Sequence, residues 1–405
     1  MLYVLGVVLF ALGIGISVAL HEFGHLLTAK AFGMKVTRYF IGFGPKIWSF
    51  RRGETEYGLK IIPAGGFCDI VGMTALDEVA PEDAPRAFYR QKTWKRVIVL
   101  SAGSITHFLI GLLVVFVAAI SLGLPNSDDQ PIAGQIAQCA QATQDPVTGK
   151  YSDCTPSDPA PAKAAGMQVG DRVLSVAGRP ISTYTDMVNI THDAKGPTPF
   201  VVERDGKQLT LTIDVVKVQR ILDLTKPLGA NDPTGSVGAI GMVRSNTVTY
   251  GPIAALGATG VFTGQMFEAV WEGLKALPTK IPALLTAIGG GQRDPNAPVS
   301  VVGASLIGGQ AADLGAWWFF VILLANLNFF VGVFNLLPLL PLDGGHIAVN
   351  LYERVRDQVR KWRGKPAGAP VDYLKLLPLT YVLVLLGGAY TLLAITADIV
   401  NPIKL

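Results

Sequence analysis

Charge is scarce in this 405-residue chain: Asp, Glu, Lys and Arg make up 16% against 50% hydrophobic residues, where a soluble domain carries about a quarter charged. That scarcity excludes an ordinary soluble protein and leaves a membrane protein carrying a soluble part. A net charge of +4 and the lack of interleaved basic and aromatic residues exclude a nucleic-acid surface. Phosphate-loop spacing, internal repeats and low-complexity tracts are lacking too. Of the three cysteines, Cys139 and Cys154 stand close enough to close a small stapling disulfide in an exported region, and Cys68 is alone on the reducing side.

In place of charge there are apolar runs. Four reach the roughly 20 residues a spanning helix needs: Met1 to about Lys30, Val97 to about Pro125, about Gly315 to Ile347, and about Leu376 to Val400. The first lacks the basic start and Ala-x-Ala site of a cleaved signal, so an uncleaved anchor is expected. Lys and Arg cluster after the first run, from Lys35 to Arg96, and after the third, from Arg354 to Lys365. Such loops face the cytoplasm, which sends both chain ends and the 126–313 region to the other side.

Only five histidines occur, and two stand in His21-Glu22-Phe23-Gly24-His25 at the end of the first run. On a helix His21 and His25 lie one turn apart on one face, able to reach one Zn²⁺, with Glu22 beside them to act on a water. Ionisable groups at membrane depth survive mainly where they serve a site. His107, alone in the second run, reads as a hydrogen-bonded structural histidine and not as a ligand.

Lys35 to Phe50 and Glu54 to Ile62 alternate apolar and polar residues about a turn at Arg51-Arg52-Gly53, a hairpin. It contains Gly42-Phe43-Gly44-Pro45. Beside a membrane helix it is expected to roof the metal site, and its edge could hold an extended substrate by strand addition. Pro63 to Gly72 reads as a Gly-rich turn, and Asp77 to Lys95 as a charged helical connector.

A polar linker over 126–160 holds the cysteine pair. After it, 163–178 gives a short helix, a turn and a strand, Thr183 to Ala194 a helix, and Phe200 to Val216 a hairpin turning at Asp205-Gly206. This order, with its Gly-x-x-x-Gly-Asp run, resembles a PDZ domain. Farther on, a helical pattern over 262–285 is interrupted by Lys275, Pro278, Lys280 and Pro282, and an interfacial position is expected for it.

The third run carries Asn335-Leu336-Leu337-Pro338-Leu339-Leu340-Pro341-Leu342-Asp343-Gly344-Gly345-His346. Two prolines break the helix there, which in lipid is acceptable only beside a cavity. Asp343 is the expected third metal ligand, because the first and third runs cross in the same direction and bring their motifs to similar depth. His346, beyond two glycines, competes for that place but is expected to face the loop.

Taken together, the His-Glu-x-x-His helix, the Gly-Phe-Gly-Pro hairpin, Gly65-Gly66-Phe67, the PDZ-like region and the Asn-x-x-Pro…Leu-Asp-Gly-Gly run resemble the site-2 protease family of intramembrane zinc metalloproteases. The likeness is to its bacterial branch with one extracytoplasmic PDZ domain. The resemblance implies His21, His25 and Asp343 as zinc ligands, Glu22 as general base, and Asn335 and Pro338 as helpers at the substrate, beside Gly42, Phe43 and Gly44 of the hairpin. The family often has Asn where His107 stands, and its second proline usually falls one residue before Pro341.

The expected fold is therefore a polytopic α-helical membrane protein with four transmembrane helices, a membrane-associated β-hairpin and one soluble α+β PDZ-like domain. The expected division is 1–125 for the first half of the protease core, 126–218 for the linker and PDZ-like domain, 219–313 for an extracytoplasmic connector and 314–405 for the second half. The resemblance implies a bacterial cytoplasmic-membrane enzyme whose active site lies near the cytoplasmic side, in contact with the bilayer. Such an enzyme is expected to cut single-span membrane proteins, anti-sigma factors foremost, with a PDZ domain that either takes a peptide or chain terminus or serves as a spacer or size filter without a ligand of its own. Two other readings are a membrane PDZ adaptor with an inactive metal site and a zinc transporter.

Overall fold

Uninterrupted apolar sequence runs from Leu2 to Ala31, and in the computed structural model it is one helix, α1, closed by Gly33 at a φ of 77°. A left-handed residue just past the last turn is the usual glycine stop. The structure describes residues 1–73, 77–145, 150–221 and 234–405. Contacts divide these into two units, one formed by Met1–Leu122 with Gly251–Leu405 and the other by Gly123–Tyr250.

In the first unit, β1 (Val36–Arg52) and β2 (Thr55–Ile70) pair antiparallel as a long hairpin. Gly53 supplies the positive φ of the turn beside Arg52, where the alternation pattern placed it. The stretch from Pro63 expected as a turn is strand instead, because β2 runs on to Ile70 and pairs Gly66 with Ile41 and Phe67 with Phe40. Much of the expected connector helix is two single 3₁₀ turns, Ala84–Arg86 and Phe88–Arg90, separated by the extended Ala87. Then comes α2, Thr93–Ser121.

The second unit begins with β3 (Leu124–Pro125) and β4 (Ala133–Ile136), followed by α3 (Pro161–Ala164), β5 (Arg172–Val176), β6 (Arg179–Pro180), α4 (Tyr184–Asp193), β7 (Gly196–Arg204), β8 (Lys207–Ile221), β9 (Thr234–Ala239), β10 (Met242–Arg244) and β11 (Thr247–Val248). A five-stranded antiparallel sheet of order β6-β5-β7-β8-β9 forms its centre. Asp205 and Gly206 both take positive φ between β7 and β8, as a two-residue hairpin requires. Thr183 and Asp186 form a capping box at the start of α4. Alternate residues Phe200, Val202, Ile213 and Val215 bury with Val173, Val176 and Met187. Cys139 and Cys154 are joined as a disulfide. Residues 222–233, the start of the expected connector, lie outside the described residues.

The chain returns to the first unit with α5 (Pro252–Ala276), α6 (Ile281–Ile288), α7 (Val301–Asp313), α8 (Trp317–Asn335), α9 (Asp343–Trp362) and α10 (Leu377–Val400). Among the described residues five helical segments are long and apolar enough to cross a membrane: α1, α2, the 252–288 segment, α8 and α10. The 252–288 segment adds to the four expected. Its interruptions fall together: Pro278 and Lys280 lie in a 3₁₀ turn and Pro282 opens α6, where a proline costs no helical hydrogen bond. Residues 252–276 are thereby left as one unbroken helix. The expected helix break after α8 is present at 336–342.

Close approach of helices comes from small residues. A Cβ on Gly6 of α1 would sit 2.6 Å from Ala312 and 3.0 Å from the Gly308 carbonyl of α7. A Cβ on Gly24 would sit 2.6 Å from Thr106 Oγ1 and 2.8 Å from the Ala102 carbonyl of α2. Backbones this close bring side chains of α1, α2 and α7 within mutual reach.

Candidate metal centre

His21 and His25 are buried on one face of α1. The Nδ1 of His25 is 2.7 Å from the Val99 carbonyl of α2. A carbonyl only accepts, so Nδ1 carries the proton and Nε2 of a neutral His25 is a bare lone pair. That lone pair faces His21 Nε2 at 3.2 Å and Asp343 Oδ2 at 3.4 Å, and His21 Nε2 is also 3.4 Å from Asp343 Oδ2.

Two imidazole nitrogens and a carboxylate oxygen converging on one point are the donor set that a cation between them would hold. For a tetrahedral ion with ligands at about 2.0–2.1 Å, neighbouring donors stand roughly 3.3–3.4 Å apart. The observed edges of 3.2, 3.4 and 3.4 Å lie within about 0.2 Å of this, so two imidazoles and a carboxylate fit zinc in number, type and spacing. Asp343 reaches the site because the chain breaks after α8 and α9 starts at Asp343 itself. His21 Nδ1 is buried with no hydrogen-bond partner among the described residues.

Around the trio the packing is tight. Gly103 of α2 lies against the His21 ring, and any Cβ there would collide with it. Glu22 extends toward the hairpin, where a Cβ on Gly66 of β2 would come within 3.0 Å of its Cγ. Tyr39 of β1 donates its hydroxyl to the Ala19 carbonyl at 2.7 Å and ties the hairpin to α1. Neither Val99 nor Gly103 carries a motif in the sequence, since a carbonyl or a missing Cβ leaves none, and Gly66 enters there only within Gly65-Gly66-Phe67.

The other sequence-marked residues fall around this centre. His107 stands outside the trio, its ring 5.0 Å from that of His21 and its Nδ1 2.9 Å from Asn328 Oδ1. Asn328 in turn donates to the Leu324 carbonyl at 2.9 Å. His346 turns away, stacking on Tyr373 with Nδ1 3.3 Å from the phenol oxygen. Asn335 is half-buried at the end of α8, and Pro338 is exposed in the broken stretch. In the hairpin Gly42 has a φ of 88°, and a Cβ there would meet the Ile62 carbonyl at 2.8 Å. Gly44 follows at a φ of 80°. Phe43 between them is exposed and stacks on Phe67.

A His-Glu-x-x-His helix and a carboxylate from a second helix, set among apolar helices long enough to cross a bilayer, define a membrane metallohydrolase. The chain belongs to peptidase family M50, the site-2 protease family, whose model matches residues 9–379. It is 50% identical over 407 residues, spanning all of both chains, to the zinc metalloprotease Rip1 of Mycobacterium bovis. Identity to Rip1 of Mycolicibacterium smegmatis is 46%, again over the whole of both chains. A putative zinc metalloprotease of Brucella suis is 30% identical over 374 residues, 88% of this chain and 85% of that one.

Proposed function

We propose that this chain is a zinc-dependent intramembrane endopeptidase that hydrolyses a peptide bond within or near the transmembrane segment of single-span membrane proteins. The observation that carries the reading is the meeting of His21, His25 and Asp343 within hydrogen-bond-scale distances at the end of a spanning-length helix. In this reading His21, His25 and Asp343 hold the zinc. When bound, zinc polarises the scissile carbonyl and lowers the pKa of a coordinated water.

The chain's own groups do the rest. The Glu22 carboxylate accepts the proton of the attacking water and passes it to the departing amide nitrogen. Val99 fixes the His25 tautomer through its carbonyl. A membrane helix hides its carbonyls in hydrogen bonds, so the substrate must be held unwound. The β1–β2 hairpin with Gly42, Phe43 and Gly44 offers strand pairing, and Asn335 and Pro338 stand in the broken stretch before Asp343.

The substrates that fit best are anti-sigma factors, cut to release a cytoplasmic regulator. The five-stranded unit around Phe200 is a PDZ-like domain on the extracytoplasmic face, where it takes a peptide or terminus. Its Cys139–Cys154 disulfide suits an oxidising compartment. In this reading the metal centre lies near the cytoplasmic side of a bacterial inner membrane, which the positive-inside rule supports through the basic stretches beside the hairpin and at the end of α9.

Glu22→Gln tests the assignment. In proteoliposomes with a single-span substrate, the variant keeps zinc and fold and loses at least about 100-fold in cleavage. Normal turnover would refute the base.

A further inference from the structure

Helix α9 joins two apolar helices, following α8 after the 336–342 break and leading into α10 at Leu377. Its two faces differ. On one, Glu353 lies 3.7 Å from Arg96 of α2 and accepts from the Val371 amide at 2.7 Å. Arg356 donates to the Ala369 carbonyl and Arg360 to the Pro366 carbonyl, both at 2.7 Å, and Asp357 accepts from the Gly368 amide at 3.0 Å. That face is covered by α2 and by the returning segment 366–371.

On the opposite face Leu351, Val355 and Trp362 recur at spacings of four and seven and form one stripe. They are exposed by 47%, 64% and 76%. Arg354 and Lys361 flank the stripe, and Arg363 and Lys365 follow its end, all exposed. None of these four cations has a carboxylate partner among the described residues, whereas Arg356 and Arg360 are used inside the fold.

We propose that this face of α9 docks on anionic phospholipid. The stripe enters the interface of the leaflet while Arg354, Lys361, Arg363 and Lys365 pair with lipid phosphates. A bare apolar stripe bordered by free cations is the pattern of an interfacial helix on a negatively charged surface. Attachment of α9 to spanning-length helices at both ends keeps it beside the bilayer.

The consequence reaches the metal centre, because Asp343 is the first residue of α9. Gly344 lies against the Leu336 carbonyl, and a Cβ on Gly345 would come within 2.6 Å of the backbone at Leu339 and Leu340. The start of α9 is thus wedged on the broken stretch, and the helix cannot shift without moving Asp343. Lipid docking therefore acts on the same helix that presents Asp343. This inference rests on the membrane reading of α8 and α10 and not on the peptidase chemistry.

The full chain in nanodiscs of phosphatidylcholine, alone or with one lipid in four replaced by phosphatidylglycerol, provides the test. Hydrogen exchange of amides 351–365 is read, together with quenching of Trp362 by brominated lipid, obtained by difference from W362F. Phosphatidylglycerol slows exchange by at least about fivefold and increases quenching in the wild type. R354Q/K361Q/R363Q/K365Q removes that response, and in the wild type high salt removes it without any substitution. Equal exchange in both lipids overturns the anionic assignment. Equal protection in detergent overturns it as well, showing the face covered by another copy or by the chain itself. Neither readout uses turnover, so an inactive peptidase would leave the result intact.

Discussion

Nε2 of His21, in the first helix of the chain, lies 3.4 Å from Oδ2 of Asp343, the first residue of the helix that follows the Asn-x-x-Pro stretch. The same carboxylate oxygen is equally far from His25. One oxygen equidistant from two imidazole nitrogens, neither of which it can pair with by covalent neighbourhood, marks a point where the fold concentrates donors for a cation.

The packing of Gly103 against the His21 ring predicts a position-specific loss. Gly103→Ala forces the ring aside, costs about 1–3 kcal/mol of stability through overpacking, and lowers zinc occupancy together with cleavage. Gly15, whose Cβ would meet nothing within 4 Å, is the control, and Gly15→Ala leaves both unchanged. Thermal melts with metal analysis check the pair.

In the unit 123–250, the disulfide closes a sequence separation of 15 residues. Cys139→Ser with Cys154→Ser should lower the stability of that unit by about 3 kcal/mol through the entropy of the opened loop. Unfolding of the full chain, followed by proteolysis within 123–250 under oxidising and reducing conditions, measures it. An unchanged protease sensitivity on reduction would contradict the stapling role.

Burial alone would raise the Asp171 carboxyl, but hydrogen bonds from the Arg204 guanidinium, at 2.7 Å to each oxygen, and from the Gln168 amide outweigh it and hold the group below the usual carboxylate range. A depressed folded pKa contributes stability that is present above the unfolded value of about 3.9 and is lost as pH falls through the folded one. Asp171→Asn should therefore melt this unit earlier at neutral pH, with the gap closing as pH drops below about 4. A gap that widens in acid would overturn the assignment.

Sequence alone made the His-Glu-x-x-His helix legible because His, Glu and His at fixed spacing specify both a helix and a candidate metal-binding face. Asp343 was legible through its setting, a carboxylate after two prolines in an apolar run. The 252–288 segment was harder, since Lys275, Pro278, Lys280 and Pro282 read as interruptions until the fold gathers the prolines at a turn and a helix start. Pro63 to Gly72 misled in the opposite way. Gly65 and Gly66 look like turn residues, yet Gly66 is wanted in the strand for its missing Cβ, which admits Glu22. The support from Val99, Gly103 and Asn328 left no trace in any pattern, because a carbonyl's direction and a space against a ring are properties of packing and not of residue type.

Metal content and coordination of the purified full chain test the account most directly. X-ray absorption on the Glu22→Gln protein should show one zinc per chain, held by two imidazole nitrogens and a carboxylate oxygen at about 2.0–2.1 Å, and Asp343→Asn should weaken zinc by at least about tenfold. Zinc held with unchanged affinity and coordination after Asp343 is replaced would contradict the convergence of α1 and α9 on a single ion.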